Sequence, residues 1–141
     1  MTAPFFYEND LLKTVTTPGA TYSFTYGNFG LRTGISVGGQ ALAAYSYTQD
    51  GNNYLDTLDY GNGDSVKYTY NSDGSLASQT YEDGAQVSYS YDDDGNLSIV
   101  EDSATGRTGR YYYDVTGRLT KLKELGTGCN LQRQGTVLCL D

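Results

Sequence analysis

Five times along this chain a tyrosine stands four residues ahead of a glycine: Tyr26/Gly30, Tyr47/Gly51, Tyr70/Gly74, Tyr91/Gly95 and Tyr113/Gly117. The glycines are separated by 21, 23, 21 and 22 residues. A fixed period of that length marks one small structural unit used repeatedly, each copy stacking on the next. The repeat accounts for most of the conspicuous residues, and any function has to be built on it.

The residues leading into each pair alternate. Tyr22-Ser23-Phe24-Thr25-Tyr26, Tyr45-Ser46-Tyr47, Val66-Lys67-Tyr68-Thr69-Tyr70, Val87-Ser88-Tyr89-Ser90-Tyr91 and Tyr111-Tyr112-Tyr113 set large side chains at every second position. Period two is the signature of a strand with one packed face. Tyr, Val and Thr also suit the pleated surface. A turn follows in each copy, as in Tyr70-Asn71-Ser72-Asp73-Gly74, Tyr91-Asp92-Asp93-Asp94-Gly95 and Tyr113-Asp114-Val115-Thr116-Gly117. Asn71, Asp92 and Asp114 are expected to brace the turn by accepting backbone N–H groups two residues on. The glycine supplies the positive φ that closes it. A second strand leaves the turn, with Leu76, Leu97 and Leu119 each two residues past its glycine.

A second glycine series, Gly19, Gly39, Gly63, Gly84, Gly106 and Gly128, interleaves at the same period. Each repeat is therefore two strands and two turns. The 23-residue step reflects a two-residue insertion near Asn52-Asn53, which moves the leucine to Leu55. The expected fold is all-β: an antiparallel meander of about ten short strands. Sheets with that many strands curl, so a curved strip is expected. Eighteen glycines and two prolines in 141 residues fit this and disfavour helices. The organisation reads as a degenerate copy over 1–21, the repeat strip over 22–126 and a tail over 127–141 that leaves the pattern.

The segment Gly109-Arg110-Tyr111-Tyr112-Tyr113-Asp114-Val115-Thr116-Gly117-Arg118-Leu119-Thr120 resembles one unit of the YD repeat, also called the Rhs repeat. Tyr91-Asp92-Asp93-Asp94-Gly95-Asn96-Leu97 matches nearly as well, and Tyr70-Asn71-Ser72-Asp73-Gly74-Ser75-Leu76 matches with Asn for Asp. The turns after Tyr26 and Tyr47 lack the acid, and Tyr7-Glu8-Asn9-Asp10-Leu11-Leu12 is a shorter copy without glycine. The resemblance covers about residues 7 to 126. It implies a β-strip of the kind that winds into hollow shells, enclosing toxins in bacterial Rhs and toxin-complex proteins and presenting adhesion sites in teneurins. It also implies a secreted or cell-surface setting. Five or six copies are fewer than a closed shell uses, so the chain reads as a piece of an array.

Other chemistries find little footing. The net charge of −8 disfavours nucleic acid and anionic membranes as partners. No apolar run of membrane-spanning length and no signal-peptide pattern is present. Histidine is absent, which removes the usual general base of a nucleophilic triad. Asp92, Asp94 and Asn96 have the first three spacings of a calcium loop but lack its closing glutamate, so turn bracing is the better reading and no metal or cofactor is expected. Cys129 and Cys139 close a small disulfide loop or stand as two thiols.

On these readings the chain is a non-catalytic structural segment. The ladder and turn positions are the five Tyr/Gly pairs with Asn71, Asp92 and Asp114. The alternative is an adhesion or glycan-binding module that uses tyrosines on the opposite face, with Tyr54, Tyr60 and Tyr112 as the platform. A short strip also leaves two free strand edges, so self-association through strand edges or sheet faces is expected, with toxin cargo or glycan as further partners.

Overall fold

The computed structural model describes residues 4–126, 129–131 and 137–139. The alternating segments fold as twelve strands: β1 (Phe5–Glu8), β2 (Leu11–Thr17), β3 (Ala20–Tyr26), β4 (Arg32–Val37), β5 (Gln40–Tyr47), β6 (Leu55–Tyr60), β7 (Ser65–Tyr70), β8 (Leu76–Tyr81), β9 (Gln86–Tyr91), β10 (Leu97–Asp102), β11 (Arg107–Tyr113) and β12 (Leu119–Leu125). Their order in the sheet is their order in the chain, from β1 at one end to β12 at the other. This is the all-β antiparallel meander that the alternation predicts, with twelve strands rather than about ten. Two short strands, β13 (Cys129–Leu131) and β14 (Val137–Cys139), pair with each other in a separate sheet, Cys129 opposite Cys139. The thiol state of the two cysteines falls outside the described residues.

The larger strand count has a local cause at the N-terminus. The glycine-less copy at Tyr7 forms a hairpin, β1–β2, around Asn9 and Asp10, whose φ angles are +51° and +63°. Two consecutive left-handed residues make the tight turn whose twist suits a hairpin. Asn and Asp tolerate that region better than other side chains. The copy is one residue short because its turn is the two-residue kind.

The chain divides into two compact units, Met1–Lys67 and Tyr68–Asp141. In the first, the turn after Tyr26 is a single 3-10 turn, Asn28–Gly30, with Phe29 forced to a φ of +59° beside Gly30 at +71°. Lacking an acid after the tyrosine, this copy carries strain on a non-glycine residue. The Gly61-Asn62-Gly63 segment closes β6 to β7, with Gly63 at a φ of +97°. Gly61 has a different reason to be glycine: any side chain there would run into the Ala41 carbonyl.

In the second unit the turns after Tyr70, Tyr91 and Tyr113 are nearly identical. In each, the backbone N–H at the first position donates to the carbonyl four residues on, and the glycine N–H donates back. The pairs are Asn71 N to Ser75 O with Gly74 N to Asn71 O, Asp92 N to Asn96 O with Gly95 N to Asp92 O, and Asp114 N to Arg118 O with Gly117 N to Asp114 O, all between 2.8 and 3.0 Å. The second series repeats the pattern, with Tyr81 N to Ala85 O and Gly84 N to Tyr81 O. A three-residue loop ending in a left-handed glycine is the next commonest hairpin connection after the two-residue kind.

Burial is shallow. Among the described residues the buried set is Val66, 6% exposed, and Ser78, 7% exposed, and no large side chain is fully buried. Backbone ladders and cross-strand side-chain pairs hold the sheet together.

Candidate functional site

The repeated tyrosine performs a specific task. The Tyr26 hydroxyl donates to the Leu12 carbonyl at 2.7 Å, Tyr47 to Arg32 at 2.6 Å, Tyr91 to Leu76 at 2.9 Å and Tyr113 to Leu97 at 2.7 Å. Each acceptor lies where a strand leaves the preceding Tyr-to-Gly turn. Each tyrosine thus clasps its own hairpin to the one before it. In each case the tyrosine and its acceptor sit on neighbouring strands, β3 and β2 for the first and β11 and β10 for the last.

A backbone irregularity accompanies each clasp. Tyr7 pairs with Leu12, Tyr26 with Arg32, Tyr47 with Leu55, Tyr91 with Leu97 and Tyr113 with Leu119, and beside each pair the register slips by one. The extra residues are Lys13, Thr33, Asp56, Ser98 and Thr120, each one past the leucine position. A bulge breaks the ladder locally and bends the strand. Hydroxyls on two of these residues make up for it: Ser98 Oγ donates to the Ser90 carbonyl at 3.1 Å and Thr120 Oγ1 to the Tyr112 carbonyl at 3.0 Å. Sequence periodicity gave no sign of the bulges. The signal that marks them is the constant spacing from glycine to leucine, followed by Ser or Thr in several copies.

The turn acids sit where their side chains bind backbone. Asp92 Oδ1 accepts the N–H groups of Asp94 at 3.1 Å and Asn96 at 2.8 Å. Asp114 Oδ1 accepts Thr116 N at 2.9 Å, Thr116 Oγ1 at 2.6 Å and Arg118 N at 3.0 Å, and its other oxygen takes Arg118 Nε at 2.9 Å. Donors from Thr116, then Arg118, hold the Asp114 carboxyl down at about 2. In the copy with Asn71, Asp73 does this work, accepting Ser75 N at 2.9 Å, while Asn71 Nδ2 donates to Ser75 Oγ at 2.9 Å. Asp83 and Asp102, in the other turn series, accept Ala85 N and Ala104 N at 2.9 Å each. Those three, Asp73, Asp83 and Asp102, are bracing residues that the spacing from tyrosine did not single out. Gly51, in the inserted copy, has a φ of +89°, and there Asp50 accepts Asn52 N at 3.1 Å. Among the described residues no cluster of three or more acids, cysteines or histidines is arranged to hold a metal ion.

Of the three platform tyrosines, Tyr54 and Tyr60 lie in the first unit and Tyr112 in the second. Tyr112 is 41% and Tyr60 45% exposed, whereas Tyr54 is half-buried ahead of β6. Tyr112 pairs with Lys121 across β11–β12, and Lys121 and Lys123 both hold their ammonium groups 5.9 Å from its ring. Burial, followed by the nearby Lys121 charge, lowers the Lys123 pKa. A shallow hollow of about 360 Å³ opens beside this ring, lined by Asp92, Asp94, Arg110 and Asp114 among others. No helix among the described residues is long and apolar enough to cross a membrane.

Taken together, clasps, turns and bulges define a hairpin-repeat strip, in which one unit is copied along a single sheet. Residues 70–108, a stretch that spans β8, β9 and β10, match the family model RHS Repeat. Known structures share the fold. A crystal structure of TcdB2-TccC3 without its hypervariable C-terminal region aligns over 90% of this chain with a TM-score of 0.61 at 16% identity. A crystal structure of TcdB2-TccC3-TEV aligns over 83% with a TM-score of 0.60, also at 16% identity. A structure of the Photorhabdus luminescens Tc holotoxin pore aligns over 82% with a TM-score of 0.57 at 17% identity. The chain spans only 8 to 10% of the length of these proteins. A comparison with curated proteins finds no match.

Proposed function

We propose that this chain is a structural, non-catalytic wall segment, a run of Rhs-type hairpins that contributes sheet surface to an enclosure or scaffold for other polypeptide. The observation that carries this reading is the thinness of the sheet. Twelve strands in one sheet, with four tyrosine clasps, bury little more than Val66 and Ser78 among the described residues. A sheet of that kind is useful where something else lies against it. The shared fold with parts of the Tc toxin structures supports a wall over an isolated domain, and it makes toxin-like polypeptide the natural cargo class. The setting that follows is secreted or cell-surface.

Limited proteolysis tests it. The chain is co-expressed with the polypeptide encoded directly downstream. Co-purification and slower cleavage of that polypeptide are expected. Independent purification, with cleavage at the rate of the free polypeptide, counts against the wall reading.

One observation favours a second reading, a glycan-binding module. Tyr112 is an exposed ring flanked by two lysines above an open hollow, a geometry suited to stacking on a sugar. A glycan array with the purified chain and its Tyr112→Ala variant decides this: binding lost in the variant supports the module, and no binding by either removes it.

A further inference from the structure

We infer that the sheet face around Tyr112 takes a carboxylate-bearing sugar, with its ring against the tyrosine and its acid group on Arg110, Lys121 and Lys123. The inference rests on the glycan-binding reading above and names the ligand class for that site.

The register puts these four side chains on one face. Arg110 and Tyr112 are two apart on β11, and period two sends them the same way. Lys121 lies directly opposite Tyr112, and Lys123 directly opposite Arg110. The face therefore gathers three positive charges around one aromatic ring, in a chain whose net charge is −8. Like charges set directly opposite each other on an antiparallel pair cost stability. Burial, and after it the charge of Lys121, lowers the Lys123 pKa.

Elsewhere the same hairpin pairs its charges. On its other face Arg107 meets Glu124 at 3.0 Å. On the Tyr112 face neither β11 nor β12 carries an acid. Glu101 of β10, which lies opposite Thr108, makes no ion pair among the described residues. The repulsion between Arg110 and Lys123 is thus left for an anion from outside to relieve.

The hollow beside Tyr112 narrows the class of that anion. Arg110 lines it together with Asp92, Asp94 and Asp114, and its volume of about 360 Å³ is at the small end of ligand sites. Asp92 and Asp114 are engaged in their turns, whereas the Asp94 carboxylate accepts no hydrogen bond among the described residues. An ionised carboxylate only accepts, so Asp94 suits the donating hydroxyls of a sugar. A polyacidic peptide would set its own carboxylates against these aspartates. Cations on one side of the ring and an open acceptor on the other favour a ligand that carries both an acid group and hydroxyls.

Calorimetric titration of the purified chain tests this with trigalacturonic acid against its neutral methyl ester, and with sialyllactose against lactose. At least one acid sugar should bind, and its neutral counterpart should bind about tenfold more weakly. Whichever of the two binds identifies the source of the carboxylate, uronate or sialate. Arg110→Gln and Lys121→Gln should each weaken acid-sugar binding roughly fivefold. Lys67→Gln, which removes a charge from the first unit, should leave it unchanged. Equal binding of acid and neutral sugars, lost in Tyr112→Ala, overturns the inference and leaves the glycan reading standing. Hexaglutamate binding as tightly as the acid sugars also overturns it, with acidic polypeptide as the occupant. A folded chain that binds neither acid sugar overturns it as well. The acid-against-neutral comparison needs no variant, so it decides the matter whether or not the substitutions fold.

Discussion

At the scale of single residues the repeat is a division of labour between a phenol, a carboxylate and a glycine. The carboxylate carries the clearest pH consequence. Asp114 titrates at about 2 in the folded chain against an ordinary value of 3.8, because it accepts donors from Thr116 and Arg118. Asp50, Asp73 and Asp102 are lowered for the same kind of reason, with Thr48, Ser75 and Thr105 as the first donors. A carboxyl lowered on folding contributes stability that is present above its unfolded value and is lost as pH falls through its folded one. Melting temperature is therefore expected to hold down to about pH 4 and to fall between there and about 2. Asp114→Asn, which keeps the shape without the charge, should flatten part of that decline. A melting curve series for both proteins checks it, and identical acid profiles would show that Asp114 does not contribute. The acids after tyrosine were legible in the sequence because Asp and Asn favour such turns. Asp73, Asp83 and Asp102 were not, because an Asx brace depends on which residue the backbone brings two positions ahead of a free N–H.

At the scale of elements, the hairpin is fixed by its turn. Gly95 has a φ of +82°, and a Cβ there would meet open space. The cost of replacing it is therefore conformational, not steric. Gly95→Val should destabilise by more than about 1 kcal/mol, because a β-branched residue resists the left-handed region. Gly95→Asn should cost clearly less, since Asn enters that region more readily. Urea denaturation of the two variants measures the difference, and equal losses would point to packing around the turn. Strand positions and turn glycines could be read from period two and from the recurring glycines. The bulges could not, because a one-residue slip leaves the hydrophobic pattern of each strand intact and only moves its partner. The clasps were hidden for a related reason: the tyrosines were recognised as a ladder, but their acceptors are carbonyls, which no side-chain pattern reveals.

At the scale of the whole molecule, stability should grade along the sheet. Repeat proteins behave as chains of nearest-neighbour couplings, and the units with fewest neighbours open first. Val66 and Ser78, on β7 and β8, are the most buried described residues, whereas β1 is exposed along its whole length. Hydrogen exchange should accordingly be slowest in β7 to β9 and fastest in β1 and β12, with intermediate values between. A single uniform protection level across all twelve strands would instead indicate global, all-or-none opening. Within the matched stretch, 70–108, the turns after Tyr70 and Tyr91 share one hydrogen-bond pattern, which the turn after Tyr113 repeats beyond it.

The clasp has one further consequence, for how such arrays change length. Its donor sits in one copy and its acceptor in the copy before, so the bond at the boundaries after Leu12, Arg32, Leu76 and Leu97 is made by a tyrosine hydroxyl and a main-chain atom. The acceptor can be leucine or, at Arg32, arginine without altering the bond. Copies can therefore diverge in almost every side chain, and be gained or lost as whole units, while each new junction still finds its partner. The joint is written into the backbone, and inheritance is left free to edit what lies between.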